Sequence, residues 1–376
     1  MYINSLERIM TFKNASLFPK TVEVNDKGHL VLGGCDVTDL VSEFGTPLYV
    51  FDEHTLRSMC TEFVSEFQAR YPASLIAYAA KAFINPTLAT IINEHGLGMD
   101  IVSGGELAVA QTVQFPPSNI YFHGNNKTNH ELQMALDYKT GRIVVDGFNE
   151  LNDLNRMAKS RGVVQDIMLR ISPSVDPHTH AYTTTGVLDS KFGFPIETGD
   201  ATQAIKSSIK ASNLNLVGLH FHLGSPIFEL EPYSTAINAV LTFASHFKND
   251  GFDLKEFSPG GGFAIGYDAS QPPPSIADYA QVITSAVITG CNNLGLNKPK
   301  LVVEPGRSIV GRAGVALYTV GTIKNIPNVR KYVSLDGGMG DNIRPALYQA
   351  QYDAVIANKM PDPPEETDAP GHYGVQ

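Results

Sequence analysis

Apolar, β-branched and aromatic residues gather in eight short runs along the middle of the chain. They are SLIAYAA (74–80), LGMDIV (97–102), NIYFHG (119–124), RIVVDG (142–147), DIMLRI (166–171), LVGLHFHL (216–223), EFSPGG (256–261) and KLVVEPG (300–306). Runs of this length and composition predict strands. Segments with helical apolar spacing lie between most of them: NPTLATIINEHG (85–96), NHELQMALDY (129–138), FNELNDLNRMAKSRG (148–162), PYSTAINAVLTFASHFK (232–248) and SIADYAQVITSAVITGCNNLG (275–295). The first opens on Asn-Pro, a cap and first-turn pair, and closes on glycine. Eight alternating units predict a (β/α)8 barrel over residues 44–313, with an open doubly wound sheet as the runner-up. HLVLGG (29–34) before the barrel, and VALYTVGTIKN (315–325) and KYVSLDGG (331–338) after it, read as strands without helices between them. Residues 1–43 and 314–376 are therefore expected to build a second, all-β domain from both chain ends. QPPPS (271–275) and MPDPPEE (360–366) read as proline-rich loops.

Composition narrows the function classes. The 376 residues are 43% hydrophobic, enough for a large core, and the net charge is −10 with no basic block. A nucleic-acid or anionic-membrane role has little support from that balance. No apolar run is long enough to span a bilayer. The N-terminal MYINSLERIMTFKNASLF lacks a basic-then-apolar order, so a signal peptide is not expected. Cys35, Cys60 and Cys291 are far apart and form no metal spacing. Free thiols in a reducing cytoplasm are the simplest reading.

The candidate chemistry sits where the runs end. In a (β/α)8 barrel the active site lies at the C-terminal ends of the strands. Those ends supply Lys81, Asp100, His123, Asp146, Arg170, His222, Gly260-Gly261-Gly262 and Glu304-Pro305-Gly306-Arg307. Lys81, in LIAYAAKAF (75–83), is either a surface lysine at a strand end or an amine that sheds its proton to act as a nucleophile. The glycines of SPGGGF (258–263) form either a turn or an anion-binding nest. EPGR (304–307) is either a turn with a surface ion pair or a paired carboxylate and guanidinium. In HFHLGS (220–225) the two histidines share one side of a strand. No third metal ligand is near in sequence, so no metal is expected; stacking of an imidazole on a ring, with Ser225 near a phosphate, is the competing use. Taken together, a lysine, a phosphate nest, an arginine and a carboxylate suit pyridoxal phosphate. The lysine would form a Schiff base and an acidic group would keep the pyridine nitrogen protonated.

From about Gly34 to Tyr373 the chain resembles the diaminopimelate decarboxylase family, of the alanine-racemase-like fold type III among pyridoxal-phosphate enzymes. The resemblance rests on TPLYVFDE (46–53), YAAKAF (78–83), FHGNNK (122–127), VDPHTHAYTTTG (175–186), SKFGF (190–194), HFHLGS, PGGGF, EPGRSIV (304–310) and DNIRPALY (341–348). It implies that Lys81 carries pyridoxal 5'-phosphate and that His222 stacks on its ring. It also implies that Ser225, Gly260, Gly261, Gly262, Gly306 and Arg307 surround the phosphate, with Pro305 in the same binding set. Glu304 would pair with the pyridinium nitrogen, and Asp100 and Arg170 would lie near the cofactor. Arg307, Arg344 and Tyr348 would hold the substrate, the last two at its distal carboxylate.

The implied reaction is decarboxylation of meso-2,6-diaminopimelate to L-lysine, the last step of lysine biosynthesis, by a cytoplasmic homodimer. Where the family continues from an AG(K/H)Y-like position into Cys-Glu-Ser-Gly-Asp, this sequence reads APGHYGVQ, with Gly374 in the place of the cysteine. In the family that cysteine is the proton donor, the next glutamate contacts substrate, and a later tyrosine contacts cofactor and substrate. The expectation is thus a C-terminally shortened β-domain and impaired activity. The alternatives are an ornithine- or arginine-type decarboxylase of the same fold, or a non-catalytic pyridoxal-phosphate-binding protein.

Overall fold

The eight runs form eight parallel strands that close on themselves. In this computed structural model, which describes residues 12, 14–175, 190–267 and 270–360, they are β1 (Ser74–Ala79), β2 (Gly98–Ile101), β3 (Ile120–Phe122), β4 (Arg142–Val145), β5 (Gln165–Ser172), β6 (Leu214–His220), β7 (Glu256–Gly260) and β8 (Lys300–Val303). Each pairs in parallel with its neighbour in sequence, and β8 returns to β1 through Leu301 opposite Ser74 and Val303 opposite Ile76. A closed barrel leaves no open edge among these strands, so the doubly wound alternative is set aside. Every strand but β5 stops earlier than its apolar run. The last residues of several runs, such as His123-Gly124 and Glu304-Pro305-Gly306, are loop; polar groups there leave the ladder and face the barrel mouth.

Helices follow the strands: α1 (Pro86–Glu94), α2 (Gly104–Thr112), α3 (Asn129–Asp137), α4 (Phe148–Ser160), α5 (Asp200–Lys210), α6 (Glu231–Ser245) and α7 (Ile276–Leu294). Their starts are chemically marked. The Asn85 side chain accepts from Leu88 N with Pro86 in the first turn, and Thr128–Glu131 and Ser275–Asp278 close capping boxes. Side chains alternate along each strand. One set, with Ala77, Tyr121, Val144, Met168, Val217 and Val302, fills the barrel interior. Below it, at the N-terminal strand ends, Tyr121 donates to Glu256 (2.9 Å), Arg142 pairs with the same carboxylate, and Lys300 Nζ reaches the Tyr121 hydroxyl at 3.2 Å. This ion cluster closes the floor.

The chain divides into two compact units, one of residues 59–264 and 273–309, which holds the barrel, and one of 1–58, 265–272 and 310–376. In the second unit, strands from both ends meet. Leu48–Phe51 pairs antiparallel with Gly314–Leu317. Glu23–Val24, Leu30–Leu32 and Cys35–Asp36 form a three-stranded sheet, and Val320–Ile326 pairs with Arg330–Leu335 as a hairpin. Phe12, Leu30, Leu32, Val37, Leu317 and Met360 share its core. The unit also carries the helix Val37–Phe44, capped by Asp36, and the short helix Arg344–Tyr348. Among the described residues no helix is long and apolar enough to cross a membrane, and the cysteines are free thiols.

Candidate active site

Period-two alternation carries the interior set upward into the barrel mouth. Opposite Ala79 of β1 stands Asp100 of β2, and opposite Asp100 stands Tyr121 of β3, two residues before His123. On β6 and β7, His220 stands opposite Ser258. Beyond β8 comes Glu304. These side chains converge. Glu304 Oε2 accepts from His220 Nε2 (3.1 Å), Glu304 Oε1 accepts from the Ser258 hydroxyl (2.6 Å), and His123 Nε2 lies 3.5 Å from Oε1. The His123 and His220 rings meet edge to face at 4.7 Å.

Electrostatics sets the charge state of each group. Burial lowers the pKa of His220 and holds His123 far below the ordinary imidazole value. Burial alone would raise Glu304; the two imidazoles and the Ser258 hydroxyl outweigh it and hold the carboxyl well below the usual range. Asp100 goes the other way. Burial raises its pKa, the Lys81 charge opposes this, and the charges of Glu304 and Glu106 add to it. The mouth therefore contains two carboxyls with opposed protonation preferences.

Lys81 sits in a single 3-10 turn, Ala80–Ala82, at the end of β1, with its side chain exposed. That turn is tied to the Glu304 loop: Ala79 N donates to Pro305 O at 3.0 Å, and a Cβ on Gly306 would meet Ala79 O at 3.0 Å and Ala82 Cβ at 3.1 Å. The lysine and the carboxylate thus share one support. The Lys81 charge acts on Asp100, His123, His220 and His222.

The triple glycine has a packing reason of its own. Gly260 and Gly262 have φ of 75° and 99°, and a Cβ on Gly261 would fall 2.0 Å from Glu304 O. Gly260 N donates to Ser258 Oγ (3.1 Å) and Gly261 N to His222 Nδ1 (3.3 Å). Both amides are therefore engaged inside the protein. His222 is held neutral by burial and by the Lys81 and Arg170 charges. With Nδ1 accepting, its proton sits on Nε2. Ser225 follows in the same loop, part-buried. Arg307 opens the four-residue helix Arg307–Val310 beside Gly306.

Arg170 lies in the β5 interior row, two residues after Met168 and two before Ser172. Its guanidinium lies over the Phe192 ring at 4.2 Å and 3.9 Å from Asp146 Oδ1, while Asp146 Oδ2 accepts from Gly193 N at 3.0 Å. Arg344 and Tyr348 belong to the other compact unit. There Arg344 donates to the Tyr352 hydroxyl (2.6 Å) and lies over the Tyr267 ring at 4.6 Å. Residues 176–186 of the VDPHTH motif, with Tyr373 and Gly374, lie outside the described residues.

These groups fit a charged pyridine ring. An ionised carboxylate is buried among donors that are themselves neutral, a hydroxyl and an imidazole. Both Asp100 oxygens, His123 Nε2 and His220 Nδ1 are buried without a hydrogen-bond partner, so the mouth has polar capacity to offer a ligand. The donor atoms of His123, His220 and Glu304 also lie within 4.8 Å of one another, a spacing that a metal ion could use. Sequence reasoning put His123 among the strand ends without a role, weighed His220 only together with His222 as a metal or stacking pair, and gave Ser258 none. The signal available was the alternation itself, since His220 and Ser258 precede His222 and Gly260 by two.

The family described as pyridoxal-dependent decarboxylase, pyridoxal binding domain, matches residues 57–311. The diaminopimelate decarboxylase of Bacillus subtilis (strain 168) is 42% identical over 348 residues, covering 92% of this chain and 79% of the relative. That of Synechocystis is 42% identical over 364 residues, with 94% and 77% covered. Among solved structures, the M. jannaschii diaminopimelate decarboxylase in complex with L-lysine superposes with a TM-score of 0.83 at 34% identity, covering 89% of this chain and 77% of that one. A lysine/ornithine decarboxylase from Vibrio vulnificus, complexed with putrescine, has a TM-score of 0.70 at 22% identity and covers 84% of this chain and 78% of its own; at that identity the likeness is one of fold.

Proposed function

The chain belongs to the diaminopimelate decarboxylase family of pyridoxal-dependent enzymes, and on that footing we propose that it removes CO2 from meso-2,6-diaminopimelate to give L-lysine. The observation that carries the reading is the buried Glu304 carboxylate, held ionised at the barrel mouth on the same support as Lys81. When bound, pyridoxal phosphate supplies an electron sink for the pair left on carbon as CO2 departs.

The chain's own groups do the rest. Lys81 is the amine that would hold the cofactor. Glu304 stays negative, so a ring nitrogen beside it keeps its proton. His222, neutral and backed by Gly261 N, offers a flat face for stacking. Ser225, Gly262, Gly306 and Arg307 are the groups assigned to the phosphate, with Gly260, Gly261 and Pro305 shaping the loops that carry them. Asp100, its pKa raised by burial against the pull of the Lys81 charge, would hold a proton in the mouth near the cofactor. Arg170, braced by Asp146 and Phe192, keeps a fixed cation at the mouth.

Arg344 and Tyr348 are assigned to the substrate's distal carboxylate, with Arg307 as a further substrate contact. A guanidinium can bind a carboxylate through two parallel hydrogen bonds, and the Tyr352 and Tyr267 contacts restrict its rotamers. Ornithine has no distal carboxylate, so this pair supplies selectivity. A homodimer and a cytoplasmic setting belong to the same reading. The test is to compare meso-diaminopimelate with ornithine, before and after Arg344→Ala. The reading expects kcat/KM for diaminopimelate to fall at least tenfold more than for ornithine. Equal losses would refute the assignment of Arg344, and ornithine as the better substrate of the unaltered chain would refute the substrate.

A further inference from the structure

Donor groups from three strands meet at the barrel mouth: His123 Nε2 beyond β3, His220 Nε2 at the end of β6, and the Glu304 carboxylate beyond β8. All three side chains are buried, and their donor atoms lie within 4.8 Å of one another. His220 Nε2 is 3.1 Å from Glu304 Oε2, and His123 Nε2 is 3.5 Å from Glu304 Oε1. Ligand atoms about 2.1 Å from a tetrahedral zinc-class ion stand about 3.4 Å apart, so these two separations bracket what one ion requires. A second observation points the same way. His123 Nε2 has no hydrogen-bond partner, on a side chain 5% exposed, and it faces Glu304. The sequence paired His220 with His222 and offered no third ligand. In the fold His222 Nδ1 is taken by Gly261 N, and the carboxylate comes from 84 residues beyond His220.

We propose that the barrel mouth of the cofactor-free chain binds one divalent transition ion of the zinc class on His123, His220 and Glu304, and that this ion and pyridoxal phosphate exclude each other. The exclusion rests on the reading of Glu304 as partner of the cofactor's ring nitrogen, since one carboxylate cannot serve both; the binding does not. Two imidazoles and a carboxylate favour Zn2+, Co2+ or Ni2+ over Mg2+ and Ca2+. The Ser258 hydroxyl, 2.6 Å from Glu304 Oε1, is the kind of outer contact that orients a ligating carboxylate. His220 frees Nε2 by carrying its proton on Nδ1, which is buried without a partner, so the exchange of tautomer gives up no bond except the one the ion replaces. Asp100 Oδ1, 3.7 Å from His123 Nε2 and without a partner of its own, is a further oxygen donor at the same mouth; water completes the shell. The Lys81 and Arg170 charges act on His123 and oppose the ion, so a chelator should recover it.

The test uses the full chain stripped of cofactor, with Co2+ as the visible probe and Zn2+ as the ion itself. One Co2+ per chain should bind with the absorption of a nitrogen–oxygen site, and EDTA should remove it. Mg2+ in about a hundredfold excess should leave the spectrum unchanged, because it prefers oxygen ligands and keeps its waters. His123→Phe and His220→Phe should each abolish the spectrum, and His222→Asn, which leaves the three ligands in place, should keep it. X-ray absorption of the Zn2+-loaded unaltered chain needs no variant to fold: a nitrogen and oxygen shell at about 2.0–2.2 Å, two imidazoles included, is expected. A sulfur shell at about 2.3 Å, absence of one-to-one binding, or a spectrum that survives both histidine changes would overturn the inference. Titration with pyridoxal phosphate at saturating Zn2+ gives the second readout. The cofactor's apparent affinity should fall at least about tenfold, and the ion's should fall by the same factor when the cofactor is bound. Unchanged cofactor affinity with the ion in place would overturn the exclusion. A chain that behaves as expected here and makes no lysine would leave this inference standing and sink the substrate assignment instead.

Discussion

Replacing Ser258 with alanine isolates the device that keeps Glu304 ionised. The Ser258 side chain is buried and has two contacts: it donates to Glu304 Oε1 at 2.6 Å and accepts from Gly260 N at 3.1 Å. The change removes one oxygen and creates almost no cavity, so packing loss is small. A hydrogen bond to a charged group contributes about 1.5–3 kcal/mol, and a buried N–H left unsatisfied costs about 1–3 kcal/mol. Contacts sharing one atom are not additive, and about 2–4 kcal/mol is the reasonable total. For a unit of this size each kcal/mol moves Tm by about 2–4 °C, so the apo chain should melt roughly 4–16 °C lower. The pH dependence has a definite sign. Glu304 has a depressed pKa when folded, so its stabilisation is present above the unfolded glutamate value and is lost as pH falls through the folded one. The variant's folded pKa is higher, so the Tm gap between the two chains should be widest near neutral pH and should narrow in acid. Calorimetry of both chains from pH 4 to 8, with pyridoxal phosphate titrations alongside, measures this. A gap under about 2 °C at pH 7, or one that widens in acid, would refute the reasoning about Glu304.

Lys127 has its Nζ 1% side-chain exposed, donating to Gly124 O, Val144 O and Glu150 Oε1 at 2.7, 2.8 and 2.6 Å; Lys127→Met strands a buried carboxylate, costs about 3–5 kcal/mol, and should show as a large Tm loss in calorimetry. Gly306→Ala presses a methyl against Ala79 and Ala82 at about 3 Å, displacing the Lys81 turn at a cost of roughly 1–3 kcal/mol; borohydride trapping of pyridoxal phosphate on Lys81 should slow while the far-UV CD spectrum is kept. Asp146→Ala frees the Gly193 amide and one face of Arg170, and limited proteolysis should then cut near residues 190–193 faster than in the unaltered chain.

The barrel was legible because its strands are buried on both faces and announce themselves as continuous apolar runs, and because Asn85-Pro86 and Ser275 mark helix starts chemically. Strand ends were the weak point. Gly261, Glu304 and their neighbours belong to runs that look like strand in composition, yet the ladder stops where interior polar groups turn to the mouth. Two helices were not read: Gly104–Thr112, dominated by small residues, shows little apolar spacing, whereas Asp200–Lys210 does carry it, with Ala201, Ala204, Ile205 and Ser208 on one buried face, but its apolar residues are small and few. Lys81, Glu304 and His222 were readable as types at strand ends. The pairings His220–Glu304, Ser258–Glu304 and His123–Asp100 were not, since they join positions 46 to 84 residues apart or, for the last, 23 residues and two strands. Nor did the sequence show that the glycines of 260–262 are required by backbone approach before any phosphate is considered.

The central claim is that this barrel, through Lys81, turns meso-diaminopimelate into lysine. The direct measurement is lysine formed from meso-diaminopimelate by the purified chain, its intact mass confirmed, with excess pyridoxal phosphate. Lysine and CO2 in equal amounts, both abolished by Lys81→Ala, is the predicted result. Turnover that survives Lys81→Ala, or a chain that binds the cofactor and releases no lysine, would contradict it.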